Sequence, residues 1–251
     1  MGKVGNTMVT SLLGTTQTFD ARDGSVMVII PAGPFLCGSL PRRDFLPVFA
    51  MGKHPVTNRQ WVRFCNDTGY RPSEAHPEAD RYLSEWMGDE CPKALLEHPV
   101  VGVSAIDAAH YCSWADLELP TGREWEKAAR GADGRRFPWG MASPLIVRRA
   151  HHSPESAGLC HVAAASTTAV GSYPRTRTAW GCQDMIGNVS EICVTDPTSD
   201  PRALGPRDTI FLRGSAFLRG HEEHRMACSY ERRLRATGRN RWVGFRPIRR
   251  F

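Results

Sequence analysis

The sequence predicts an α+β domain with long irregular connections, on three observations. Three helix starts are legible between residues 57 and 131. Beyond Gly131 the helical period disappears, and short apolar islands stand in a background of Gly, Pro, Ser, Thr and Arg. No linker, internal repeat or low-complexity tract divides the 251 residues, a length that buries a full core.

The elements follow in order. Residues 1–20 are polar and Thr/Gly-rich and read as a loose N-terminal arm, leaving 21–251 as a single domain. Ser25 to Pro31 is short, β-branched and ended by Pro-Ala-Gly, so it predicts a strand, with Phe35-Leu-Cys-Gly-Ser continuing a hairpin. Thr57-Asn-Arg-Gln60 is a capping box ahead of Trp61, Phe64 and Cys65, with Gly69 as the stop. Ser104-Ala-Ile-Asp107 opens a second helix whose apolar stripe is Ala108, Tyr111, Cys112 and Ala115. Thr121-Gly-Arg-Glu124 opens a third, with Trp125, Ala128 and Ala129 facing inward and Gly131 ending it. The later islands are Val162 to Ala165, Ala169-Val170, Ile210 to Leu212 and Trp242 to Phe245.

Composition narrows the function classes. No stretch is apolar for the length of a membrane span, and the N-terminus lacks the basic head and apolar run of a secretory signal. That points to a cytoplasmic or phage- or prophage-encoded protein, or to one whose leader was removed. Net charge is +6, with Arg crowded into the last forty residues. A basic face of that kind attracts nucleic acid or an acidic partner, but no nucleic-acid motif accompanies it, and the expectation is no nucleic-acid binding. The eight cysteines form no Cys-x-x-Cys pair, so a zinc ribbon or thioredoxin-type site is not expected, and most read as buried free thiols.

Eight segments, in order, resemble the formylglycine-generating-enzyme (sulfatase-modifying factor) family. They begin at Ile30-Pro-Ala-Gly-Pro-Phe-Leu-Cys-Gly-Ser, His54-Pro-Val-Thr-Asn-Arg-Gln-Trp, His98-Pro-Val-Val-Gly-Val-Ser and Leu119-Pro-Thr-Gly-Arg-Glu-Trp-Glu. Phe137-Pro-Trp-Gly, Asp184-Met-Ile-Gly-Asn-Val-Ser-Glu, Leu212-Arg-Gly-Ser and Gly244-Phe-Arg complete the series. The resemblance covers about residues 25 to 250. It implies a C-type lectin fold of the formylglycine-generating-enzyme type: a small twisted antiparallel sheet, flanking helices and extensive loops. Within that frame Gly187 and Gly244 suit backbone positions where a Cβ would clash. Arg246 offers a guanidinium fork able to bridge buried carbonyls or a carboxylate.

The family's chemistry does not carry over residue by residue. Its enzymes hold copper(I) on two cysteines in an F-L-C-x-x-x-x-C arrangement, soft ligands suited to that metal. Here Phe217-Leu218 are followed by Arg219, and His224 stands at the second position. Arg cannot ligate a metal at ordinary pH, so no copper is expected. His221 and His224 are three residues apart, not the four of a zinc helix motif. The resemblance also implies a structural calcium ion on carboxylates of Asp184 and Glu191 and carbonyls of Gly187 and Val189, an all-oxygen set suited to that ion. The competing reading is that both carboxylates cap local backbone.

The same fold serves the variable proteins of diversity-generating retroelements, which this chain also resembles. Those carry a variable C-terminal segment ending in Gly-Phe-Arg. Here the corresponding segment is 213–246. It is rich in residues reached by randomising the first two bases of an AAC codon. Glu222, Glu223, Met226, Glu231 and Trp242 are not reachable and would be fixed positions. The display candidates are Arg219, His221, His224, Tyr230, Arg232, Arg233, Arg235, Arg239, Asn240 and Arg241. The expected function is non-catalytic recognition of a protein or cell-surface ligand. The alternatives are an oxidase or protein-modifying factor with a site around His221, His224 and Cys228, and an accessory subunit that lost catalysis.

Overall fold

Two four-stranded sheets and a hairpin enclose three helices in the computed structural model, which describes residues 18–72, 82–142, 166–198, 200–205, 207–216 and 223–251. The first sheet is antiparallel, ordered β1 (Thr18–Asp20), β2 (Val26–Ile30), β5 (Phe49–Gly52) and β10 (Ile248–Arg250). The hairpin joins β3 (Gly33–Cys37) to β4 (Arg42–Leu46). The second sheet is ordered β8 (Glu231–Arg235), β7 (Thr209–Arg213), β6 (Ser190–Cys193) and β9 (Val243–Gly244), with β6 and β9 parallel. The helices are α1 (Asn58–Thr68), α2 (Ala105–Ala115) and α3 (Gly122–Arg130).

All three helix starts are where the sequence puts them. Thr57, Ser104 and Thr121 each accept from the backbone N–H three residues on, and Gln60, Asp107 and Glu124 reach back to the cap. Two orphan donors are satisfied at each start. Gly69 ends α1 in the left-handed conformation glycine adopts without strain (φ 67°). The expected stripes of α2 and α3 are buried.

The apolar side chains gather in two clusters. In one, Trp61 stacks on Tyr111 with centroids 5.6 Å apart and planes at 7°, while Phe64 and Phe245 meet these rings edge-on. In the other, Trp125, Ala128 and Ala129 of α3 pack with Val28, Met51, Phe137, Met185 and Ile186. This places α3 beside β3 and β7.

One expectation changes. The arm is not loose to its end, because Thr18–Asp20 pair with Val26–Val28 as β1. Ala169-Val170 lies in a turn, and Val162 to Ala165 falls outside the described residues. Strands β4 to β6, β8 and β10 carry charged residues or stand between loops, so no clean alternation announces them. Seven described cysteines are free, five of them buried.

Removing the α1 cap tests this account. Thr57→Ala leaves the Gln60 N–H without its acceptor and should cost about 1 kcal/mol in urea denaturation with an unchanged slope.

Candidate functional site

Short strands and a tight loop carry the C-terminal segment and the residues beneath it. Gly187 (φ 93°), with Asp184 and Asn188 also at positive φ, turns the chain sharply into β6. β6 delivers Glu191 fully buried, opposite Arg246, which follows β9. The guanidinium donates from Nε to Glu191 Oε2 at 2.7 Å and from Nη2 to Oε1 at 2.7 Å. Trp125 Nε1 donates to the same Oε2 at 2.6 Å. The remaining N–H groups of Arg246 reach the carbonyls of Gly52, Lys53 and Gln183. Burial pushes the Glu191 carboxyl upward and the Arg246 charge pulls it back, the opposition expected of a charge pair taken out of water.

Both sequence readings of Arg246 are therefore realised together. Glu191 is first the counter-ion of Arg246, with both carboxylate oxygens engaged. Asp184, also buried, accepts the Gly171 N–H at 2.7 Å through Oδ2. An oxygen-ligand set remains in Asp184 and the neighbouring carbonyls, chemically suited to calcium. A cation there would share Glu191 with a guanidinium.

The display candidates separate into inner and outer residues. Arg219 and His221 lie outside the described residues. Arg239 is not at the surface: it is fully buried and holds Asp107 through Nε at 2.9 Å and Nη2 at 3.0 Å. Asp107 also accepts the Tyr70 hydroxyl at 2.7 Å while serving its capping box. A carboxylate with that many donors is a buried structural anion. Of the others, His224, Arg233, Arg235 and Arg241 are exposed, and Tyr230, Arg232 and Asn240 are half-buried. Arg232 lies over the Trp242 ring (4.9 Å to the centroid) and Arg233 over Phe211 (5.4 Å). His224 meets the Tyr230 ring edge-on.

Cys228, the one thiol in this segment, is sealed in the core. Burial pushes it far above the ordinary thiol range, and its backbone N–H is tied to the Arg136 carbonyl. A protonated, inaccessible thiol is neither a nucleophile nor a soft ligand. Among the described residues, no three His, Cys, Asp or Glu side chains converge as a metal set.

Residues missed by sequence reasoning are the carboxylates of α3. Glu126, fully buried, pairs with Arg130 at 2.8 Å and with Arg213 at 3.4 Å, and Arg213 also reaches Glu231 at 3.1 Å. Glu124 takes Arg250 through both oxygens at 2.8 Å. The signal available was the surplus of Arg at the C-terminus, but charge alone does not say which carboxylate it meets.

Comparison with known proteins follows the same frame. The family described as "Sulfatase-modifying factor enzyme 1-like domain" matches residues 14–251. A hercynine oxygenase of Mycolicibacterium smegmatis is 31% identical over 207 residues, 65% of this chain and 44% of the relative. The chain spans less than half the length of this and the next curated relatives it matches. PvdO from Pseudomonas aeruginosa superposes with a TM-score of 0.70 at 21% identity, covering 96% of this chain and all of that one. Treponema denticola variable protein 1 superposes at 0.60 and 17% identity, covering 98% and 100%. These structures share the fold.

The buried pair gives a direct test. Arg246→Met strands the Glu191 charge and should cost about 3–5 kcal/mol in urea denaturation. Adding Glu191→Met should recover a large part of that loss. Additive losses would show that the two side chains act independently.

Proposed function

We propose a non-catalytic ligand-binding role for this chain, which belongs to the sulfatase-modifying factor enzyme 1-like family. It recognises a protein or cell-surface ligand through the outer residues of its C-terminal segment. One observation carries the reading: among the described residues of this segment, the side chains that reach solvent stand on a paired strand and its flanks, while its thiol is buried. Arg233 and Arg235 project from β8, which is hydrogen-bonded to β7 along its length. A backbone held in this way loses little entropy on binding, and Arg and Tyr are frequent hot spots. The fold shared with a Treponema denticola variable protein agrees with a display role. Retroelement diversification is a finer part of the proposal. A neighbouring reverse transcriptase gene and a template repeat differing at adenines would support it, and a locus lacking both would remove it.

A second reading has its own support in the similarity to a hercynine oxygenase. It is an oxidase or protein-modifying factor using a site around His221 and His224. Arg219 and His224 in place of the family's copper thiolates weigh against formylglycine formation.

Two experiments separate these readings. Probed on arrays of glycans and cell-surface ectodomains, the protein should bind at least one probe. Arg233→Glu with Arg235→Glu should abolish that binding with the melting temperature within about 2 °C of the parent. Stoichiometric copper or iron in the purified protein, with thiol-peptide oxidation that survives the double substitution, would replace binding by catalysis.

A calcium ion, where bound, would be held by Asp184 and the carbonyls of Gly187 and Val189, with Glu191 beside it, and would brace the loop entering β6. Millimolar calcium should then raise the melting temperature over that in a chelator, by mass action on the folded state. Asp184→Ala should erase the difference. A melting temperature indifferent to calcium would dispose of the site.

A further inference from the structure

β8 is the outer strand of the second sheet, and among the described residues no strand lies on its far side. Its register with β7 runs from Glu231 opposite Arg213 to Arg235 opposite Thr209. One further bond sets the phase of the ladder: the Ala236 N–H donates to the Asp208 carbonyl at 2.8 Å. In an antiparallel pair, hydrogen-bonded and non-bonded positions alternate. Leu234 and Arg232 therefore bond to β7, while Glu231, Arg233 and Arg235 turn their N–H and C=O groups away from it. The Arg235 carbonyl takes the Gly238 N–H. The N–H and C=O of Arg233 and the N–H of Arg235 have no partner among the described residues.

The side chains at this edge select what can pair with it. Those of Glu231, Arg233 and Arg235 are exposed and share one face. Arg233 is braced over the Phe211 ring. The carboxylates nearby in the strands are committed, Glu231 to Arg213 at 3.1 Å and Asp208 to the Gly205 N–H at 2.7 Å. Two guanidinium groups on alternate residues thus flank an unused row of backbone donors and acceptors. Charged edges resist pairing with strands of like charge. A second copy of β8, antiparallel about Arg233, would set two guanidinium groups directly opposite each other, and the Glu231 that would face Arg235 is already held.

We propose that β8 takes a guest strand from the ligand, an extended peptide segment with acidic side chains at alternate positions. Main-chain hydrogen bonds to Arg233 and Arg235 supply affinity, and carboxylates opposite those two residues supply selectivity. Successive side chains of a strand point to opposite faces, so the carboxylates that meet both arginines stand on every second residue of the guest. The inference rests on the binding reading of the C-terminal segment and names its partner as an acidic peptide and not a glycan.

The test is amide exchange by NMR on the full chain, with and without the peptide acetyl-Glu-Thr-Glu-Thr-Glu-Thr-Glu-amide. Saturating peptide should slow exchange at Arg233 and Arg235 at least about tenfold, while Arg232 and Leu234, already bonded to β7, stay as they were. The same peptide with Lys in place of Glu should not bind. Arg233→Gln should weaken binding about threefold by removing one charge pair. Arg233→Pro should abolish it, since proline removes an N–H that β7 does not use and is tolerated on an edge strand. If that variant fails to fold, the alternating exchange pattern of the parent decides alone. Absence of binding, binding without alternating protection, or the same amides protected by self-association without peptide overturns the proposal. Array binding that depends on Arg233 and Arg235 but is confined to anionic glycans overturns it too and leaves the display reading standing, so the two fail separately.

Discussion

The buried contact between Arg246 and Glu191 holds the two sheets in one arrangement. One guanidinium satisfies a carboxylate on β6, two carbonyls at the end of β5 and one in the loop before β6. Trp125 of α3 fastens the same carboxylate to the second core cluster. A charge so fully enclosed tolerates no displacement, because each lost hydrogen bond leaves a polar group stranded without water. The last turn of the chain is thereby tied to a strand more than fifty residues earlier, and β10 is positioned to pair with β5.

The same device recurs around the helices. Asp107 and Glu124 cap α2 and α3 and then accept Arg239 and Arg250, while Glu126 accepts Arg130 and Arg213. A carboxylate in the first helical turn is already favoured by the helix dipole, and a C-terminal arginine completes its hydrogen bonding. Much of the apparent basic surplus of the C-terminus is thus spent internally, as counter-charge to helices laid down earlier in the chain. Among the described residues, what stays outside is a narrower set, chiefly His224, Arg233, Arg235 and Arg241.

That division shapes the functional reading. The positions that fix the frame are buried and paired, and the positions that meet solvent sit on a strand whose backbone is committed to β7. Such a surface can change its side chains without changing its fold, since exposed substitutions away from caps and core have small effects on stability. Gly244, whose Cβ would lie 2.9 Å from the Val100 carbonyl oxygen, and Gly214 mark where that freedom ends.

The sequence by itself determined the three helices, their caps and inward stripes, the α+β class and the family frame, because those depend on residues within one turn of each other. The family resemblance, read on the sequence alone, implied that Arg219 and His224 stand where the copper thiolates would be. Only the tertiary structure decided which arginines are internal. Arg239 and Arg233 look alike in a run of Arg, yet one lies against Asp107, 132 positions away, and the other in solvent. The same holds for Glu191, whose pairing with Arg246, 55 positions on, no spacing announced. Ion pairs between distant segments leave no periodic trace, since their partners are set by how sheets and helices pack and not by spacing along the chain.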